Sequence, residues 1–395
     1  MACYMDDVDR NIPALDGIRG WAILMVLYVH SFGVSVPSLS SLDKAMHETS
    51  LYGRLGVDLF FVLSGFLITG ILLKSKNTDR FFINFFSRRI LRIFPLYYLA
   101  ITGIFFITPQ LVDYFNSQLA PNIHLIYYSY LQNFLIVPDG TLNQYLLAPM
   151  WSLAVEEHFY LVWPIMVFYC KPQSVARIAI ILVIIALVLR TSLFFYARGW
   201  RYWAASWTFC RMDAILIGAL LAVFIRSGIR EFLNIWKYYF AFLASAINIF
   251  VIYLNYRWAE NGSWFASLSF GYTLHAIFFV SIINLILFLP KRNILVRFFD
   301  NGALRLFGKH SYCIYIVHMV INAILWEQLF KNISSSYLII SFSFFLASII
   351  VSLLTSIVIW HAYEKHFLLA KRFFENKPVD TDSRVVPRSV ADNIS

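Results

Sequence analysis

Charge is what this chain most lacks. Only 14% of its 395 residues are charged, against 60% that are hydrophobic, and the mean hydropathy is +0.68. A soluble domain carries about a quarter charged residues, because its surface must face water. The shortage excludes a water-soluble globular fold. Cysteine is nearly as scarce: Cys3, Cys170, Cys210 and Cys313 lie far apart, with neither a pairing pattern nor metal-ligand spacing, and read as small core residues. No cluster of ligand residues points to a metal. No secretory leader is expected either, since Asp6, Asp7, Asp9 and Asp16 precede the first apolar run, so insertion is expected to use the first spanning segment itself. The net charge of +10 does not indicate nucleic acid, because the Lys and Arg residues are scattered through short connectors instead of gathered on one basic face.

What the chain has instead is a succession of apolar runs near the roughly 20 residues that cross a bilayer core of about 30 Å. Ten are legible, at approximately 20–37, 55–73, 93–112, 147–169, 178–196, 211–225, 238–254, 266–289, 311–330 and 337–361. They predict an all-α polytopic integral membrane protein with ten transmembrane helices in one domain over 1–377, followed by a polar, disordered tail over 378–395. The longest connector, about 113–146, holds Pro121, Pro138 and Gly140 and reads as a loop. If the N-terminus is cytoplasmic, 24 of the 32 Lys and Arg residues fall on the cytoplasmic side and 5 on the other, with Arg54, Arg190 and Arg211 within or at segment ends. That asymmetry predicts both termini inside.

Ionisable groups within spans are costly, which makes each a functional candidate. Arg19 and His30 are eleven residues apart, which places them within about 20° on one helix face and roughly 16 Å apart along the axis. Asp16 shares that face if the helix starts early enough. Asp58, one turn into the second segment, is expected at a depth similar to His30, where a carboxylate would fix the imidazole tautomer. Glu156 and Glu157 are adjacent and point to different faces, so at most one of them is expected to face a central site. Arg211 and Asp213 open the sixth segment, either as site residues or as a structural ion pair. Arg89 and Arg92, spaced i, i+3, offer two planar forks of donors suited to phosphate, or else simply anchor a helix end. Together these residues describe phosphate receptors at the inner face with a base and acids deeper in the membrane. That layout suits a donor with an anionic head and a slender reactive arm, such as coenzyme A.

Five stretches, in order, carry a resemblance: Leu15–Gly20 with His30, Gly56–Phe66, Arg88–Pro95, Trp151–Tyr160 and Ser311–His318. With them the chain resembles the acyltransferase 3 family of bacterial membrane acyltransferases, which includes O-antigen and exopolysaccharide acetylases. His158 departs from the family pattern, where Gln is common. The resemblance implies ten helices in a bacterial inner membrane, in contact with its lipid. It also implies transfer of an acyl group, acetyl foremost, from acyl-coenzyme A to a hydroxyl of a saccharide or lipid-linked glycan. No tightly bound cofactor is implied, acetyl-coenzyme A being a co-substrate. Arg19, Arg89 and Arg92 would hold the donor, His30 would act as base, and Asp58 or Glu157 would orient it; Asp16, Glu156, Arg211, Asp213 and His318 would support them. Some relatives carry an additional soluble esterase-like domain; here acceptor handling is expected to fall to the membrane domain and its loops. A proton-coupled transporter is the other reading of the buried His and acids, although the paired Gly-interrupted helices it favours are not found.

Overall fold

The computed structural model describes residues 12–32, 40–107, 123–135, 146–196, 201–259, 267–333 and 335–374. Among these residues the regular structure is entirely helical. Ten helices have seventeen residues or more: α1 Pro13–Phe32, α2 Leu55–Ser75, α3 Phe81–Thr102, α4 Met150–Tyr169, α5 Pro172–Tyr196, α6 Thr208–Ile225, α7 Lys237–Ala259, α8 Tyr272–Phe288, α9 Gly302–Leu325 and α10 Tyr337–Ile359. Each apolar segment read from the sequence falls on one of them. Eight stretches are long and apolar enough to cross a membrane. The long helices outside those stretches are α1, which carries Asp16 and Arg19, and α4, which carries Glu156 and Glu157. The chain is an all-α polytopic integral membrane protein.

Two helix starts differ from the sequence reading, and both matter for the site. α1 begins at Pro13, whose missing N–H and fixed φ suit a first helical position, with Asp16 in the first turn where a negative charge is favoured. α3 begins at Phe81, after Arg80 in a left-handed conformation, instead of near residue 93. Its first turns bury Phe81, Asn84 and Phe85, so this end is held by packing despite its three arginines. Within the expected loop 113–146, residues Ile123–Tyr128 and Gln132–Leu135 are short helices. Pro121, Pro138 and Gly140, the tail 378–395 and Cys3 lie outside the described residues, while Cys210 and Cys313 are buried free thiols and Cys170 is half-buried.

Two helix pairs are drawn together by glycine. α1 and α9 meet where a Cβ on Gly20 would overlap the Leu304 carbonyl, and one on Gly308 would overlap the Asp16 carbonyl. α2 and α6 meet in the same way, Gly65 lying against the Ile215 carbonyl and Gly218 against that of Val62. Bare backbone allows such close approach, and small residues are what pack helices within a bilayer, where lipid is as apolar as leucine. Each contact sets the register for a polar pair farther along. Ten residues beyond Gly20 and Gly308 stand His30 and His318; seven before Gly65 and Gly218 stand Asp58 and Arg211. Equal spacing on both partners means that each pair of helices runs in parallel.

Candidate active site

A cavity of about 360 Å³ opens between α1, α2, α3, α4, α9 and the C-terminal turn Ala370–Phe374. Its wall carries five cations: Arg19, Arg88, Arg89, Arg92 and Lys371. Both Glu156 and Glu157 line it as well, which corrects the expectation that only one would face a site and that the acids would sit apart from the arginines. The two glutamates are not equivalent. Glu156 accepts hydrogen bonds from Ser64 Oγ and Tyr160 Oη, each at 2.9 Å, so both its oxygens are engaged. Glu157 has a buried oxygen that no described group reaches, and Arg89 has a buried Nε in the same condition. Buried polar atoms are normally paired, so such orphans in a cavity wall mark places where water or a ligand completes the bonding.

The arginines are arranged as their spacing suggested. Arg89 and Arg92 sit one turn apart on α3 and both face the cavity, with Arg88 beside them. Arg19 enters from α1 and is tied to Asp16 at 2.7 Å, as the early start of that helix permits. Sequence reasoning missed Arg88 and Lys371. Arg88 was passed over because it breaks the i, i+3 pairing, and Lys371 because only the fold brings the chain's last described turn back under α3. The far end of the cavity is closed by Phe60, Ser152 and Tyr315. The Tyr315 hydroxyl lies 2.6 Å from Ser152 Oγ and donates to the Pro149 carbonyl at 3.1 Å.

His30 is not in the cavity wall. It stands behind that floor, against His318: Nδ1 of His30 lies 3.2 Å from Nε2 of His318 and 2.9 Å from the Val26 carbonyl. The His318 ring in turn packs on Tyr315, with centroids 5.7 Å apart. One aromatic layer therefore separates the histidine pair from the basic cavity.

Asp58 is not beside His30. Its carboxylate is fully buried against Arg211 at 2.6 Å, and Arg211 lies 3.6 Å over the Tyr272 ring. Asp213 pairs with buried Arg190 at 2.9 Å and with Thr273 Oγ1 at 2.5 Å. These four charged residues on α2, α5 and α6 balance one another, and Tyr272 and Thr273 join them to α8. The register explains the departure from expectation: Asp58 and His30 were matched by depth, but the Gly65–Gly218 contact turns Asp58 towards α6. His158, the departure from the family pattern, bonds Thr208 Oγ1 at 2.8 Å and stacks on Phe134, outside the cavity lining. Among the described residues no cluster of His, Cys, Asp and Glu is disposed to hold a metal ion.

A family model described as an acyltransferase domain matches residues 12–361. Among curated proteins, the chain is 24% identical over 334 residues to the O-acetyltransferase OatA of Staphylococcus aureus, covering 78% of this chain and 50% of that one. It is 34% identical over 191 residues to the putative peptidoglycan O-acetyltransferase YrhL of Bacillus subtilis, covering 45% of this chain and 27% of that protein. An uncharacterized protein of Haemophilus influenzae is 31% identical over 185 residues, 42% of this chain and 74% of its own length. The chain thus spans about half the length of the first of these relatives, and no solved structure matches it. The five motif stretches all lie within the matched region and supply most of the cavity and both histidines, and on that match the chain belongs to the acyltransferase 3 family.

Proposed function

We propose that this protein is a membrane O-acetyltransferase that takes an acetyl group from acetyl-coenzyme A and passes it to a hydroxyl of a saccharide or lipid-linked glycan. The observation that carries the reading is the cavity: five cations at one end of a membrane bundle, with an orphaned guanidinium nitrogen among them, and a histidine pair one aromatic layer beyond. Arg89 and Arg92 present forked donors to the phosphates of the donor, with Arg19, Arg88 and Lys371 adding positive potential. The names of the relatives, O-acetyltransferase and putative peptidoglycan O-acetyltransferase, favour acetyl as the group and a glycan as the acceptor. The charge asymmetry favours a cytoplasmic donor site, and the family's bacterial members favour an inner-membrane location.

In the chemistry, the acceptor hydroxyl gives its proton to Nε2 of His30 as its oxygen bonds to the thioester carbonyl carbon. The tetrahedral intermediate collapses by breaking the C–S bond. His30 returns the proton to the departing thiolate, leaving an O-acetyl ester and free coenzyme A. For the acyl carbon to reach His30, the arm of the donor has to pass the layer of Phe60 and Tyr315. Among the described residues His30 Nε2 has no hydrogen-bond partner, which leaves it available to a substrate.

The test supplies purified protein in lipid nanodiscs with acetyl-labelled acetyl-coenzyme A and a panel of glycans that includes peptidoglycan fragments. Label should enter an ester on one glycan class, with one free thiol released per ester formed, and His30→Ala should abolish both. Absence of label from every glycan, with no thiol released by wild-type protein, would overturn the donor assignment. A proton-coupled transporter, the competing reading, would consume no thioester at all.

A further inference from the structure

We infer that His318 is the positioning residue for His30: an uncharged imidazole that accepts the Nδ1 proton of His30 and so leaves Nε2 of His30 as the basic nitrogen. This rests on the reading of His30 as the base, and replaces the carboxylate expected there with a second histidine.

The assignment follows from what surrounds His318. Its Nδ1 lies 2.7 Å from the Tyr315 carbonyl and 3.2 Å from that of Ile314. Carbonyl oxygens only accept, so Nδ1 must carry a hydrogen. In the neutral ring the other nitrogen, Nε2, is then a bare lone pair. That lone pair faces Nδ1 of His30 at 3.2 Å. Two bare lone pairs would repel at this distance, so His30 Nδ1 must be the donor. The Val26 carbonyl, 2.9 Å from the same nitrogen, requires the same hydrogen there. Three backbone carbonyls thus determine both tautomers, and every contact of the pair is satisfied in one arrangement alone. A doubly protonated His318 would also satisfy its carbonyls, but it would need a counter-charge. Neither histidine forms an ion pair with an acidic group among the described residues, and His318 is fully buried.

Burial is what gives the arrangement its use. His30 is held at Nδ1 by groups on α1 and α9, the two helices that Gly20 and Gly308 bring backbone to backbone. When Nε2 takes the proton of the acceptor hydroxyl, the positive charge spreads over the ring, and the bond from Nδ1 to His318 becomes a charge-assisted one. The lone pair of His318 therefore does more for the transition state than for the resting ring, which is the condition for raising kcat.

The experiment compares His318→Gln with His318→Leu in nanodiscs, using acetyl-coenzyme A and oligomers of N-acetylglucosamine as probes. Gln places an amide oxygen near the lost Nε2 and keeps an acceptor; Leu fills the space without one. The Leu variant should lose about ten- to a hundred-fold in kcat, the range for a charge-assisted hydrogen bond, with the KM for acetyl-coenzyme A unchanged. The Gln variant should recover most of that loss. Equal activity of the two variants, or an unaffected Leu variant, would overturn the inference. A merely structural histidine would not separate them, and would not leave the donor KM fixed while kcat moved. Nitrogen-15 spectra of histidine-labelled wild-type protein, assigned by difference against His30→Ala, need neither variant of His318 nor an acceptor. Each ring should show a protonated Nδ1 and a bare Nε2; a protonated Nε2 on either histidine would refute the assignment. Should His30→Ala remain active, the base reading fails whatever the spectra show. An inactive His30→Ala beside a fully active His318→Leu sinks this inference alone.

Discussion

Replacing Asp58 and Arg211, singly and together, decides whether Asp58 serves the chemistry or the bundle. Asp58 is fully buried, Arg211 is 2% exposed, and the two are 2.6 Å apart. Taking away one member leaves the other as an unpaired charge in a medium that cannot solvate it, at a cost of about 3–5 kcal/mol. The neighbouring Arg190–Asp213 pair gives no relief, since its charges already cancel. The Tyr272 face, 3.6 Å from the guanidinium, offsets part of the loss in Asp58→Leu by roughly 2 kcal/mol. A stranded Asp58 has a different relief, since a buried carboxyl can take up a proton and a guanidinium cannot give one up, so the two single changes should be comparably damaging. Asp58→Leu with Arg211→Met removes both charges and leaves apolar groups of similar size, and exchanges of that kind are often neutral. The expected result is two singly substituted proteins that denature early in detergent, and a doubly substituted one that regains both thermal stability and acetyl transfer. A double variant that is stable but inactive would refute the reasoning and return Asp58 to the reaction. Asp58→Leu with normal melting and lost turnover would do the same.

Exchanging Arg89 and Arg92 together for Lys preserves charge but removes the forked donors, so the KM for acetyl-coenzyme A should rise about ten-fold or more while the KM for the glycan holds. An unchanged donor KM in steady-state assays would reduce both residues to helix anchors. For topology, single cysteines at Asn77 and Ser129, both exposed, in a background without native cysteines, can be probed on intact cells with an impermeant thiol reagent. Ser129→Cys should label and Asn77→Cys should not; the reverse would invert the bundle and put the basic cavity outside.

The helices were legible because a bilayer leaves apolar length as a strong signal, and each of the ten segments landed on a long helix. Edges were less legible where amphipathic turns extend a helix past its apolar part, as Phe81–Arg92 does on α3. Arg19, Arg89 and Arg92 were found together because helical spacing places them on one face and the fold then brings those faces to one cavity. Spacing within one helix says nothing about which neighbour a side chain meets. Asp58 was matched to His30 on depth, yet its partner is set by how α2 lies on α6, through a contact between two glycines 153 residues apart. His318 stood within a motif stretch, but only the α1–α9 crossing reveals that it touches His30. Gly20, read at first as part of a signature, turns out to permit that crossing, while Gly17 lets α1 approach Phe299 just before α9.

With acetyl-coenzyme A as the proposed donor, the separation of the basic cavity from the histidine pair bears on the competition between acceptor and water. Water is also a hydroxyl nucleophile, and it is present wherever phosphates are bound. A base exposed in the cavity wall would activate that water and hydrolyse the donor. Neither His30 nor His318 lines the cavity, and the floor between is fastened by Tyr315 to Ser152 and to the Pro149 carbonyl at the start of α4. On the proposed mechanism the base stays out of reach of the donor's hydration shell until the arm itself displaces the floor. The arm then occupies the opening that water would use. The parallel pair α1–α9 holds both imidazoles in one register, while the side chains of Phe60 on α2 and Tyr315 on α9 are what has to move aside. Activation and exclusion of water thereby become consequences of a single passage of the donor through the Phe60–Tyr315 layer.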